Sequence, residues 1–287
     1  MRPSSSRRPG PSRRSGATTV RALVAPSRAK LGYSAFWDAV GSSFPSLKGA
    51  ASTAYYFECE RGLFEEFFPA LRGGLILKTD LWNEAKSTEI LCWAASRGAR
   101  PVGIDIALPV ARQATATLAA YQPVIAVSDV RSLPFPAGMF DCVYSMGTIE
   151  HFPDYARAVD EIFRVLRPGG VAIIGVPNKL DPFLRPLLVA ILQRLTLYAF
   201  GPEKSFTHGA LRRIVEAAGF HVTAQTGLLL LPGWLRMLDL WCHTRCPRLA
   251  WASACLVRPF AWLYRRVPPL RRHGYLIACV GRKPPVW

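Results

Sequence analysis

Short apolar segments alternate with amphipathic ones through most of the chain, and this alternation is the first guide to its fold. The segments CVYSM (142–146) and VAIIGV (171–176) lack helical spacing and are rich in β-branched and aromatic residues, as expected for buried strands. Between them, residues 155–166 place apolar side chains on one face and charged ones mostly on the other, which predicts a helix. The RPGG turn at 167–170 ends that helix, because proline and glycine break helical backbone. This order predicts half of a doubly wound α/β domain.

The remaining pattern extends the same arrangement in both directions along the chain. Strands that alternate with helices at this spacing predict a βαβ sheet. Ligands of such sheets bind at the carboxyl ends of the strands, where Asp129 and residues 145–151 are expected. The further predicted strands lie at 75–78, 102–105, 124–127, 220–230 and 275–280, and the further helices at 52–70, 84–96, 108–120 and 211–218.

Two insertions interrupt this pattern, at about 180–206 and 232–273. Both are rich in large apolar side chains, and the second contains four tryptophans with arginines between them. Proline, glycine or arginine interrupts every apolar run before the roughly 20 residues that a membrane span needs. An apolar aromatic face bordered by arginine suits a helix in a membrane interface or a cap over an apolar substrate. Ordinary packing on the domain is the alternative.

The charge distribution divides the chain into parts. The net charge is +17, from 36 Lys and Arg against 19 Asp and Glu. Residues 1–37 carry eight basic and no acidic side chains, residues 228–287 carry ten and one, and the middle is neutral. We therefore predict a disordered basic tail (1–37), a leading helical segment (38–74) and a domain (75–287), with no nucleic-acid partner because the neutral middle of the chain offers no basic groove.

The expected location follows from the tail and the cysteines. We expect a cytoplasmic protein that is peripheral to the membrane. Organellar import is the alternative, because the tail is rich in Arg and Ser and lacks the apolar core of a secretory signal. Seven scattered cysteines without a paired framework suit a reducing compartment. Cys242, His243 and Cys246 lack an obvious fourth ligand, so no metal site is predicted.

Three strings carry a family resemblance through their order and spacing. DVRSLPFPAGMFDCVYS (129–145), EHFPD (150–154) and RVLRPGGVAII (164–174) together resemble the class I S-adenosylmethionine (SAM)-dependent methyltransferases, in particular the type 11-like branch. The resembling region covers about residues 75–230. The resemblance implies a Rossmann-like α/β fold with a seven-stranded sheet, an antiparallel last strand and helical insertions. It also implies methyl transfer from SAM to a small-molecule or lipid-like acceptor.

The resemblance also implies roles for residues at the strand ends. Asp105, at the end of the second strand, is expected to accept both ribose hydroxyls, as in other nucleotide-binding α/β folds. Capping of the next helix is the alternative for this residue. Asp129 and Val130 resemble the pair that contacts adenine, and the end of the fourth strand is expected to line the methyl-transfer channel. The predicted cofactor-binding residues are Thr79, Asp80, Asp105, Ile106, Asp129, Val130, Ser145 and Met146.

The loop after the first strand departs from the family pattern. It reads KTDLWNE (78–84), without the glycines that usually let the backbone approach the cofactor. Asp80 is expected to bind the SAM ammonium, and Thr79 or Asn83 its carboxylate. A catalytically inactive SAM-fold protein that binds a membrane or a partner is the alternative that this loop raises.

One histidine is predicted to be catalytic. Transfer of a methyl group from a sulfonium needs a base only when the acceptor is a hydroxyl or a protonated amine. His151, beside Glu150 in the loop after the fourth strand, is the best placed base. A structural histidine is the alternative.

Overall fold

The structure, a computed structural model, describes residues 32–68 and 71–285. The predicted tail and its alternative as a transit peptide lie almost entirely outside these residues, as does Pro69, the predicted helix end. The prediction of disorder is wrong for residues 33–37, which begin the first helix, α1 (Tyr33–Ser43). Their aromatic side chains find partners far along the chain: Phe36 is buried, and the Trp37 ring lies 4.8 Å from the His151 ring.

Seven strands form one mixed sheet. They are β1 (Leu75–Lys78), β2 (Arg100–Asp105), β3 (Val124–Val127), β4 (Phe140–Met146), β5 (Leu166–Pro177), β6 (His221–Leu228) and β7 (Leu276–Arg282). Their order is β3, β2, β1, β4, β5, β7, β6, with β1 to β5 parallel and β7 antiparallel to both of its neighbours. The predicted fold class is confirmed.

Nine further α-helices connect these strands within the described residues. They are α2 (Ala51–Phe67), α3 (Trp82–Lys86), α4 (Ile90–Ser96), α5 (Leu108–Leu118), α6 (Tyr155–Val165), α7 (Arg185–Arg194), α8 (His208–Ala217), α9 (Gly233–Arg245) and α10 (Ala250–Arg266). The amphipathic pattern predicts α6 correctly, since its buried residues recur at helical spacing. The first insertion forms α7, and the second forms α9 and α10.

The sheet separates two apolar layers. Along β4, Cys142 and Tyr144 face one layer while Val143 faces the other, as the two-residue period of a strand requires. The layer on the Tyr144 side includes Phe64 of α2 and Leu235 of α9. The leading helix α2 is therefore part of the domain core.

Two predicted local features differ in the structure. The single helix predicted over 84–96 is wrong: it is divided into α3 and α4, with Glu89 in a left-handed conformation at φ 58°. Long-range contacts hold this break, because Thr88 donates to Glu60 of α2 and Lys48 pairs with Glu89. The RPGG turn lies within β5 as an irregularity, since Leu166 pairs with Phe140 but Val171 already pairs with Cys142.

Candidate functional site

A cavity of about 660 Å³ opens at the carboxyl ends of the central strands. The strand order reverses between β1 and β4, and such a switch point is where open α/β sheets bind ligands. Helices α1, α7 and α9 complete the wall. The predicted site residues that line it are Thr79, Asp80, Asp105, Ile106, Asp129, Val130, Met146 and His151. Ser145 is buried at the end of β4 and is not among the lining residues.

Asp105 lies at the end of β2 with both carboxylate oxygens engaged. Oδ2 accepts the backbone N–H of Leu81 at 2.9 Å, and Oδ1 accepts that of Ala107 at 2.8 Å. Burial raises the pKa of Asp105 to about 7, although these two hydrogen bonds favour the charged form. Each carboxylate oxygen can accept a further bond, so the group keeps acceptor sites for a diol.

Asp129 follows β3 and is paired with a neighbouring arginine. The Arg131 guanidinium donates to both of its oxygens, from Nε to Oδ1 at 3.0 Å and from Nη2 to Oδ2 at 2.6 Å. Burial alone would raise the pKa of Asp129, but the bonds from Arg131 outweigh it and lower the pKa. The pair orients a permanently charged carboxylate beside Val130 at the cavity wall.

A buried ion network braces the loop after β1, where the family usually has glycine. The Lys78 side chain is fully buried, and its ammonium lies 3.1 Å from Asp80 Oδ1 and 3.2 Å from Glu84 Oε2. It also donates to the Asp80 carbonyl at 2.7 Å. Burial would lower the pKa of Lys78, but the surrounding carboxylates outweigh it and raise the pKa. The ammonium therefore fixes both backbone and side chain of Asp80.

Glu60 of α2 joins this network from the other side. Its Oε1 accepts from Asn83 Nδ2 at 2.7 Å and from the Tyr144 hydroxyl at 2.9 Å, while Oε2 accepts from Thr88. Burial raises the pKa of Glu60 to about 7, and the charge of Lys78 opposes the shift. The leading helix thus holds the same loop as Lys78.

Sequence reasoning missed this network. The available signal was Lys78 itself, a charged residue that ends an otherwise apolar strand, with acids two and six positions later. Its partner Glu60 lies 18 positions upstream, and no local pattern joins the two residues.

The donors and acceptors along this wall are compatible with SAM. The carboxylates of Asp80, Asp105 and Asp129 supply acceptors for an ammonium, a ribose diol and an adenine amine. Thr79 Oγ1 is buried without a hydrogen-bond partner among the described residues, so its hydroxyl is available to a ligand. Gly147, at φ 75°, lines the cavity with no atom nearer than 3.6 Å to where a Cβ would stand. The specific roles of these residues stay predictions.

His151 lies at the cavity wall beside Glu150. Its Nδ1 is 3.2 Å from the Pro202 carbonyl oxygen, and its Nε2 is 3.9 Å from Glu150 Oε1. Burial raises the pKa of Glu150 well above its usual range, and the nearby charge of Glu203 adds to the shift. The imidazole lines the cavity, and its catalytic role stays a prediction.

The far end of the cavity is apolar and comes from the two insertions. Leucines of α7 and the side chains of Met237, Leu240 and Trp241 on α9 line it. Arg236, Tyr56 and Tyr275 line the same cavity, and the Arg236 guanidinium lies within 5.2 Å of both ring centroids. The sequence pattern predicts apolar insertion faces but does not place these three residues in the site. Among residues 32–68 and 71–285, no group of three His, Cys, Asp or Glu side chains could hold a metal ion.

Comparison with known proteins connects this geometry to a family. A family model described as a methyltransferase domain matches residues 87–174. The chain is 28% identical over 145 residues to a 2-methyl-6-phytyl-1,4-hydroquinone methyltransferase of Synechocystis sp., covering 48% of this chain and 41% of the relative. It is 33% identical over 117 residues to a malonyl-[acyl-carrier protein] O-methyltransferase of Salmonella typhimurium, covering 40% and 45%. The chain thus spans less than half the length of either relative.

A solved structure shares the fold over most of its length. The S-adenosylmethionine-dependent methyltransferase from Mesorhizobium loti aligns with a TM-score of 0.53 and 17% identity, covering 78% of this chain and 98% of that one. At this identity the likeness concerns the fold alone. The match over residues 87–174 supports a class I SAM-dependent methyltransferase with SAM as its cofactor, and the strand order and the likeness to the solved structure agree with the fold of that family.

Proposed function

We propose that this protein transfers a methyl group from SAM to a small-molecule or lipid-like acceptor. One observation carries the proposal: a single cavity joins the acidic strand ends to an apolar compartment formed by α7 and α9. The first region suits an adenosine with a charged amino-acid end, and the second suits an apolar acceptor. The comparisons give no support to the alternative of an inactive module.

The polar wall would hold the cofactor in three parts. Asp105 would accept the ribose hydroxyls, and Asp129 with the backbone of Val130 would contact adenine. Asp80, fixed by Lys78, would bind the ammonium, and the free hydroxyl of Thr79 would donate to the carboxylate. Each contact pairs a ligand group with a protein group of complementary charge or hydrogen-bonding type.

Methyl transfer from a sulfonium requires little covalent participation by the protein. SAM supplies an electrophilic methyl group on a sulfonium, whose sulfur leaves as a neutral thioether. The chain's contribution is to align the acceptor in the apolar compartment and to exclude water from it. For a hydroxyl or ammonium acceptor, His151 would take the proton that is released.

The acceptor class rests on the apolar compartment. Leu188 and Leu192 of α7 line the cavity together with Met237 and Trp241 of α9. A relative with 28% identity is named for a hydroquinone that carries a phytyl chain, which agrees with a lipid-like acceptor. The apolar wall and this relative support an acceptor with a ring or headgroup near the sulfonium and a hydrocarbon part between the two helices.

Binding and turnover test the proposal separately. We expect titration calorimetry to detect binding of SAM and of S-adenosylhomocysteine. Incubation of the protein and SAM with a bacterial lipid and metabolite extract should yield a product that is heavier by one methylene, detected by mass spectrometry. An enzyme heated beyond its melting temperature is the control. No binding of either nucleoside contradicts the proposal, and binding without any methylated product favours the inactive alternative.

We further propose that a face formed by α7, α9 and α10 rests on an anionic membrane surface from the cytoplasmic side. Among the described residues, no helix is long and apolar enough to cross a membrane. Each of the three helices nevertheless exposes large apolar side chains, including Trp251 at 70% and Trp262 at 56% exposure. Residues 228–287, which include α9 and α10, carry ten basic side chains against one acidic, and this positive excess is complementary to anionic lipid. The same α9 lines the cavity, so an acceptor could enter directly from the lipid.

Vesicle sedimentation tests this membrane face. The protein should bind phosphatidylserine vesicles more tightly than phosphatidylcholine vesicles, and added salt should weaken binding because it screens the arginines. Replacing Trp251 and Trp262 together by glutamine should lower the partition coefficient roughly tenfold or more, because two indoles leave the interface. Val124→Thr is the matched control: Val124 is 57% exposed, but on the edge strand β3. Equal effects of the two variants contradict the proposed face.

A further inference from the structure

Arg236 of α9 lies in the cavity without a counter-charge. Its guanidinium carbon is 5.2 Å from the centroid of the Tyr56 ring and 5.1 Å from that of Tyr275. No carboxylate within residues 32–68 and 71–285 comes within ion-pair distance of it, and the side chain is only partly exposed. Two aromatic rings therefore hold a partly desolvated cation whose hydrogen-bond donors have no protein acceptor.

The other arginines of the cavity differ from Arg236. Arg185 is buried, and its Nη1 lies 2.6 Å from Glu203 Oε1, so its charge is neutralised. It stacks 4.2 Å from the centroid of the same Tyr275 ring. Arg245 lies exposed at the end of α9, where water can solvate it. Arg236 is thus the cavity arginine among the described residues that is neither paired nor fully solvated.

The position of Arg236 relates it to both compartments. Arg236 contacts the Tyr56 ring, and Tyr56 lines the cavity together with Asp80 of the loop after β1. On the other side, the next residue of α9, Met237, lines the apolar end. An anion bound at Arg236 would therefore lie between the cofactor loop and the acceptor compartment.

We propose that Arg236 is an anion-binding residue that takes a carboxylate or phosphate group of a molecule bound in the cavity. This inference rests on the proposed function, because that function supplies two sources for the anion: the carboxylate of the cofactor's amino-acid end, or an anionic group on the acceptor. A guanidinium that contacts two rings and has no acceptor among the described residues keeps its N–H groups for either anion, and the paired oxygens of a carboxylate or a phosphate match its fork.

Matched ligand pairs distinguish the two sources. S-adenosylhomocysteine carries the amino-acid carboxylate, whereas 5′-methylthioadenosine has the same adenosine and thioether without it. Dodecyl phosphate and dodecanol share a chain and differ in the charged headgroup. Calorimetric affinities for all four are measured with the wild type, Arg236→Gln, Arg236→Lys and Arg112→Gln. Arg112 is exposed on α5, does not line the cavity and serves as the charge-matched control.

We expect Arg236→Gln to weaken binding of one anionic ligand by roughly 10- to 100-fold, the range for a lost charge-assisted hydrogen bond, and to leave its uncharged partner unchanged. Loss for S-adenosylhomocysteine assigns the cofactor carboxylate, and loss for dodecyl phosphate assigns the acceptor anion. The affinity of Arg236→Lys for that ligand should lie between those of the wild type and Arg236→Gln, since lysine keeps the charge but lacks the forked N–H groups.

Several outcomes overturn the inference. They are equal affinities of Arg236→Gln and the wild type for both anions, an equal loss for charged and uncharged partners, and an equal effect of Arg112→Gln. Thermal melting of each variant shows whether an equal loss of affinity comes from misfolding. If Arg236→Gln is misfolded, the comparison uses Arg236→Lys alone, and the inference requires that this variant binds the anionic ligand less tightly than the wild type does. If the protein binds dodecyl phosphate but does not bind S-adenosylhomocysteine, the anion site is supported and the proposed function is contradicted.

Discussion

Asp105→Asn is expected to weaken the binding of S-adenosylhomocysteine by roughly 10- to 100-fold, because charge-assisted hydrogen bonds to the ribose hydroxyls are replaced by weaker ones. Titration calorimetry at pH 8 measures this change. Asp38→Asn is the matched control, since the Asp38 carboxylate accepts the backbone N–H of Leu108 at 2.8 Å near the start of α5 but does not line the cavity. An unchanged affinity in Asp105→Asn contradicts the ribose role.

The pH dependence provides a second measurement on the same residue. Burial raises the pKa of Asp105 to about 7, so the carboxyl group is increasingly protonated below that pH. The ribose diol binds best to the charged form, and the affinity of the wild type should therefore fall as the pH decreases from 8 to 6. In Asp105→Asn this part of the pH dependence should be absent. Glu60, whose pKa is also raised to about 7, contributes to the dependence that remains.

Lys78→Met is expected to lower the free energy of unfolding by about 3–5 kcal/mol, the usual cost of leaving a buried ion without its partner. The substitution leaves Asp80, Glu84 and Glu60 as neighbouring acids, with Glu84 fully buried. Urea denaturation monitored by tryptophan fluorescence measures the change. Proteins of marginal stability unfold at such a loss, so a shifted midpoint at low temperature is the appropriate readout.

Two further variants identify the cause of that loss. Lys78→Met combined with Glu84→Leu removes both charges of the closest buried pair and should recover part of the stability, since replacing a whole buried pair by apolar groups is often nearly neutral. Lys48→Met breaks an ion pair with Glu89 whose side chains are both 37% exposed, and should cost less than about 1 kcal/mol. Equal stabilities of Lys78→Met and Lys48→Met contradict the role assigned to the network.

The parts of the fold that depend on local pattern were predictable from the sequence. The apolar run at 75–78 forms β1 and the one at 124–127 forms β3, with the same bounds as predicted. Helix α6 begins and ends within one residue of its prediction, because its apolar stripe faces the core. Strand and helix periodicity is a property of neighbouring residues, so the sequence alone reveals it.

The features that sequence reasoning missed depend on contacts between distant residues. The break between α3 and α4 is held by Glu60 and Lys48, which lie on other elements. The helix at residues 33–37, where composition predicts disorder, likewise depends on contacts with residues far along the chain, which composition alone does not reveal. The absence of glycine after β1 was visible, but its structural replacement by Lys78 and Glu60 was not, because burial decides whether such charges pair or face water.

The three hydrogen-bond partners of Glu60 have a consequence for where the functional unit of this protein begins. Asn83, Thr88 and Tyr144 all lie downstream of residue 75, whereas Glu60 lies upstream of it. A fragment that starts at β1 would keep every predicted cofactor contact yet lose the acid that anchors their loop. A domain transferred to another protein must therefore include α2, because the loop after β1 depends on hydrogen bonds to that helix.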